Sequence, residues 1–79
     1  MIIEVRNADN NELVTSIKAR INTKNTHSKV KSELSKMVGH EVRLLAEGRI
    51  DMRTRKFEGH YLTLGTMGNI KKIYYNVIQ

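Results

Sequence analysis

The sequence predicts an α+β domain in which a helix pair packs on one face of a small antiparallel sheet, with elements in the order β-α-α-β-β-β. Three observations carry that expectation. The chain opens on a period-2 alternation in MIIEVRN, its middle holds two stretches whose apolar residues recur at helical spacing, and the period returns to two after Gly39. The 79 residues are expected to form a single domain, 1–79, because so short a chain buries only about 60–65% of its unfolded surface and cannot support two cores.

In the first segment Ile3 and Val5 alternate with Glu4 and Arg6, the pattern of a strand with one buried face. Asp9-Asn10-Asn11-Glu12 then spells a capping box, in which Asp9 accepts from the Glu12 amide and Glu12 reaches back to the Asp9 amide. Leu13, Val14, Ile17 and Ile21 fall on one helical stripe, so a first helix is expected from about Asn10 to Ile21. NTKNTHS has no apolar residue and reads as a loop. From Thr26 or Ser28 a second helix is expected, with Val30, Leu34, Met37 and Val38 on its buried side and Gly39 where a left-handed terminator belongs. Lys29, Ser32, Ser35 and Lys36 occupy its opposite face.

Beyond Gly39, Val42, Leu44 and Ala46 alternate with Glu41, Arg43, Leu45 and Glu47, and Gly48 reads as a bulge or bend. The alternation resumes through Ile50 and Met52, then Phe57, Tyr61, Leu62 and Leu64, and GTMGN supplies a hairpin turn. The last strand, IKKIYYNVI, is rich in β-branched and aromatic residues and apolar on both faces. Placed at a sheet edge, such a strand invites pairing across a two-fold axis, so a homodimer is expected.

Composition narrows the function. The chain has no cysteine, which removes disulfides, thiolate nucleophiles and Cys-ligated metals. No secretory h-region opens it and no 18 apolar residues run together, so a cytoplasmic protein without membrane contact is expected. The acids show no paired spacing with a base, and His27, His40 and His60 stand singly. Gly65-x-x-Gly68 lacks the strand, glycine loop and helix of a phosphate site. No catalytic residue, cofactor or metal is expected, and the protein reads as a non-enzyme. The absence of proline and cysteine, with richness in Asn, Lys and Ile, suits a phage or mobile-element protein.

Charge is the remaining signal. Lys and Arg number 14 against 8 acids, a formal charge of +6 with a pI near 9.9. Residues 18–36 alone hold six bases and one acid: Lys18, Arg20, Lys24, Lys29, Lys31 and Lys36 against Glu33. A second group is Arg49, Arg53, Arg55 and Lys56. In an extended segment Arg53 and Arg55 project to the same side as Phe57, which puts two guanidinium groups and a ring on one surface able to grip phosphate and stack on a base. The bland alternative is a solvated hairpin whose arginines pair with Glu47, Asp51 and Glu58. Tyr74 and Tyr75, adjacent in a strand, point to opposite faces, one into the core and one exposed, where it serves either a dimer or partner contact or a stacking platform.

VKSEL, VGHEVRLLAEGR and RKFEGHYL, within residues 30–62, resemble the small basic Veg proteins of Gram-positive bacteria. The resemblance implies a helix followed by a small twisted Sm-like or SH3-like antiparallel sheet, and a nucleic-acid-associated or regulatory role. It covers less than half of the chain, and the chain departs from it before residue 28 and in lacking a Tyr-Ser-rich C-terminal stretch. The expectation drawn from the residues is a regulator that binds nucleic acid, DNA or RNA, through phosphate contacts from Lys29, Lys36, Arg49, Arg53, Arg55 and Lys56, with Phe57 beside them. The alternative is an interaction module or inhibitor that meets an acidic protein surface through Tyr74 and Tyr75. A ribbon-helix-helix reading of residues 1–39, with MIIEVRN as the ribbon, ranks third.

Overall fold

The computed structural model describes residues 1–20 and 25–78. Five strands and one helix are present among them: β1 (Ile2–Asn7), β2 (Leu13–Lys18), α1 (Thr26–Val38), β3 (Leu45–Ile50), β4 (Phe57–Leu62) and β5 (Lys72–Ile78). The strands form one sheet in the order β2-β1-β5-β4-β3, every neighbouring pair antiparallel. Val30 and Leu34 of α1 are fully buried in one cluster with Ile3, Val5, Ile17, Val42, Met67 and Ile73, so the core is a single layer between the helix and one sheet face. The α+β class holds, but the element order is β-β-α-β-β-β.

The expected first helix is a turn and a strand as far as residue 20; Ile21 and Lys24 lie outside the described residues. The capping box does not form. Asn10 Oδ1, not Asp9, takes the Glu12 amide at 3.0 Å, and Asn7 Oδ1 takes the Asp9 amide at 2.8 Å. Asn11 adopts a left-handed backbone, φ 63°, and the Asn7 amide closes the turn on the Glu12 carbonyl at 2.9 Å. Asn tolerates that conformation and bonds its own backbone locally, so the run NADNN makes a turn in place of the expected helix start. Thr15 and Ile17 then pair with Val5 and Ile3, and the register slips so that Arg6 faces Leu13 and Val14 has no opposite residue. That bulge sets Val14 beside Leu13 and creates the helix-like spacing.

The second helix runs as expected with Val30 and Leu34 buried, but Met37, expected on its buried side, is exposed, because the contact with the sheet is narrower than the apolar stripe. Gly39 ends it at φ 80°, its amide bonded to the Ser35 carbonyl at 2.9 Å. Ser35, expected on a solvated hydroxyl face, is structural: its hydroxyl donates to the Lys31 carbonyl (2.8 Å) and accepts the Val42 amide (3.0 Å), tying the segment after the helix to the helix. This seats Val42 in the core although residues 41–44 are not a strand.

Gly48 is not a bulge. It stands opposite Gly59 in an unbroken β3–β4 register, with φ 153° and 150° at the two glycines. A Cβ on Gly48 would lie 2.2 Å from the Glu58 carbonyl oxygen, and one on Gly59 2.3 Å from that of Glu47, so the two backbones approach as closely as glycine allows. The expected turn at GTMGN is a wider loop between β4 and β5, closed by the bond from the Thr63 amide to the Lys71 carbonyl at 3.0 Å.

β5 is not at an edge. It lies between β1 and β4, and the edge strands are β2 and β3. A strand apolar on both faces belongs in the sheet interior, so the ground for pairing copies through Ile70–Ile78 falls. No helix among the described residues is long and apolar enough to cross a membrane.

Candidate nucleic-acid interface

The sheet splits along its middle. β5 pairs with β1 from Ile73 to Ile78, and β4 pairs with β3 along its whole length from Phe57 to Leu62. Between β4 and β5 only Tyr61↔Ile73 and Leu62↔Lys72 pair. The start of β4 therefore leaves with β3, opening a cleft of about 440 Å³ lined by Lys56, Phe57, Gly59, Tyr61, Tyr75, Val77 and their neighbours Tyr74 and Asn76. Alternation places Phe57, Gly59 and Tyr61 on the same face as Ile73, Tyr75 and Val77, the face that α1 covers.

Aromatic rings line that face. Tyr61 and Tyr75 stack across the strands with centroids 5.4 Å apart and planes 2° apart, and Phe57 stacks on Tyr61 at 5.2 Å and 28°. Gly59 between them has no side chain, which lets the two rings of β4 lean together. His27, in the first turn of α1, caps the group 4.9 Å from Tyr61 and 6.2 Å from Tyr75. The hydroxyls of Tyr61 and Tyr75 share a hydrogen bond of 3.3 Å, and the Tyr75 hydroxyl lies 3.4 Å from His27 Nδ1. Burial, reinforced by Tyr61, pushes the Tyr75 phenol above the usual range.

The lip of the cleft is basic. Residues 51–56 join β3 to β4, closed by the Asp51 amide on the Lys56 carbonyl (2.9 Å) and the Arg55 amide on the Asp51 carbonyl (2.7 Å). The Asp51 carboxylate accepts the Arg53 amide at 2.8 Å, and Arg55 is left-handed at φ 56°. Arg53 and Arg55 thus sit on a turn, where strand alternation no longer aligns them with Phe57. Among the described residues Arg53, Arg55 and Lys56 make no ion pair. Ile2 faces both Lys18 and Ile78, and β4 runs antiparallel to β5, so Lys18 and this tip stand at the same end of the sheet.

The other basic residues are placed differently. Arg49 faces Glu58 on the outer side of β3, 3.8 Å away and 86% exposed, beside the contact of His60 with Glu47 at 2.9 Å. Lys29 and Lys36 both meet Glu33, at 3.5 and 3.6 Å, and Lys31 meets Glu41 at 3.7 Å. Tyr74 points to the outer face, where its hydroxyl donates to the Asn11 side chain. The structure thus gathers Lys56, Phe57 and Tyr75 at one cleft, places Arg55 on the adjoining turn and Arg53 in a separate recess of about 410 Å³ with Arg49 and Glu58, and leaves Lys29 and Lys36 on the helix. Tyr61, Gly59 and His27 belong to the cleft and were missed, though aromatic-x-Gly-x-aromatic in a period-2 segment already marks two rings sharing a face. The chain matches no family model, and no curated protein or solved structure matches it.

Proposed function

We propose that the protein is a non-enzymatic nucleic-acid-binding protein that grips the phosphate backbone through the tip of the β3–β4 hairpin. The observation that carries this reading is the set of three cations on one turn, Arg53, Arg55 and Lys56, without an ion-pair partner among the described residues, next to an aromatic cleft that Lys56 lines. A phosphate meeting them displaces no existing ion pair, whereas Lys29, Lys36 and Arg49 must first leave Glu33 or Glu58. Those exposed pairs are worth at most about 1 kcal/mol each, so the helix face and Arg49 serve as a second, weaker track. The arginine fork fits phosphate bidentately, and the excess of positive charge steers a polyanion toward it.

The test is the double variant Arg53→Ala with Arg55→Ala, titrated with several unrelated DNA and RNA sequences. Phosphate contacts carry no base information, so affinity should fall alike for all of them, and the salt slope should flatten by about one and a half to two units. An acidic protein surface as the true partner gives another outcome: neither DNA nor RNA binds the wild-type chain at about 50 mM salt, where electrostatic attraction is large.

A further inference from the structure

We infer that the cleft between β4 and β5 is the seat of an unpaired nucleobase, so that this chain prefers single-stranded to duplex nucleic acid. The inference rests on the nucleic-acid reading above and adds to it what the tip alone does not carry. Phosphate gripping is indifferent to strandedness; a slot between splayed strands is not. The bases of a duplex are stacked and paired, and only a splayed base can enter a recess in the protein surface.

The cleft has the chemistry such a base requires. Its β4 wall is the stack of Phe57 on Tyr61, and Phe57, the outermost ring, is 37% exposed and stacks among the described residues on Tyr61 alone. Facing it, Val77 of β5 is 43% exposed and offers an apolar wall. Beyond Ile73 the peptide groups of Tyr75 and Val77, which point away from β1, have no strand partner on the β4 side among the described residues, so donors and acceptors for a base edge stand beside the ring wall. Lys56 closes the lip, placed to meet the phosphate of the nucleotide whose base is inside. The volume of about 440 Å³ lies within the range of about 300–1,000 Å³ common to small-ligand sites. Charge complementarity decides the occupant: the lip is cationic and the interior aromatic, which suits an anionic chain bearing flat rings better than an acidic peptide.

The experiment compares a labelled single strand with its own duplex by fluorescence anisotropy, and follows tyrosine emission of the unlabelled pair. The single strand should bind at least about tenfold tighter and quench tyrosine, since Tyr61 and Tyr75 underlie the seat, while the duplex leaves emission unchanged. Phe57→Ala, which removes a stacking ring, should weaken single-strand binding by about 5–150-fold with little effect on the salt slope. Phe57→Leu, which keeps apolar bulk at the start of β4, should weaken it in the same direction. Equal affinity for strand and duplex, or single-strand affinity untouched by both variants while the tip arginines still matter, would overturn the base seat and leave phosphate gripping standing. Polyglutamate that displaces the strand as well as unlabelled strand does would also overturn it. Failure of the wild-type chain to bind any nucleic acid removes both readings.

Discussion

Gly48 and Gly59 face each other where the β3–β4 backbones come closest, and the space they leave is what the aromatic face is built around. Each holds a backbone conformation that L side chains rarely adopt, and each would drive a Cβ into the opposing strand. Gly59→Ala should therefore cost about 2 kcal/mol or more in urea denaturation, and Gly48→Ala the same. Gly39→Ala meets nothing within 4 Å and should cost only its backbone strain, about 1 kcal/mol. Equal losses at Gly39 and Gly59 would contradict the close approach. Tyr75 makes a separate expectation at this scale. Its folded phenol is raised above the ordinary value of 10.0 by burial and Tyr61. As pH rises past that value the unfolded chain releases the proton and the folded chain holds it, so stability present below it is lost above it. Denaturation midpoints measured across that range should fall less steeply for Tyr75→Phe than for the wild type.

At the scale of elements, α1 was legible because Val30 and Leu34 on its stripe and its terminating Gly39 agreed, with no capping side chain at its start. β2 was not, and the reason is specific. Leu13 and Ile17 are four apart, which satisfies a helical and an alternating pattern alike, and the bulge at Val14 added the one neighbour that tipped the reading toward a helix. Asn10 and Asn11 settle the matter locally by making the turn. Ser35 was read as surface because its use lies in a contact across a change of element, with an amide seven residues later. Ser35→Ala leaves the Val42 amide without its partner and should cost about 1–2 kcal/mol, read from the denaturation midpoint. The β3–β4 hairpin was legible as a basic segment, but its arginines were assigned to a strand. In its tip the Asp51 carboxylate accepts the Arg53 backbone amide and makes no ion pair with the Arg53 guanidinium.

For the whole molecule, strand order was beyond reach of the sequence, because nothing local says that β5 inserts between β1 and β4. That insertion moves the aromatic terminal strand from a supposed edge to the middle of the sheet. It also makes the cleft, since β5 follows β1 while β4 follows β3. The charge of +6 was legible, and its clustering in the middle of the chain becomes, after folding, a basic tip at one end of the sheet and a paired helix face. The central claim, that this tip binds a polyanion backbone, is tested most directly by titrating the wild-type chain with nucleic acid between about 50 and 200 mM salt. With three cations engaged, log affinity should fall linearly with log salt at a slope of roughly 2–3. Affinity that does not change with salt, or binding undetectable at the lowest salt, would contradict it.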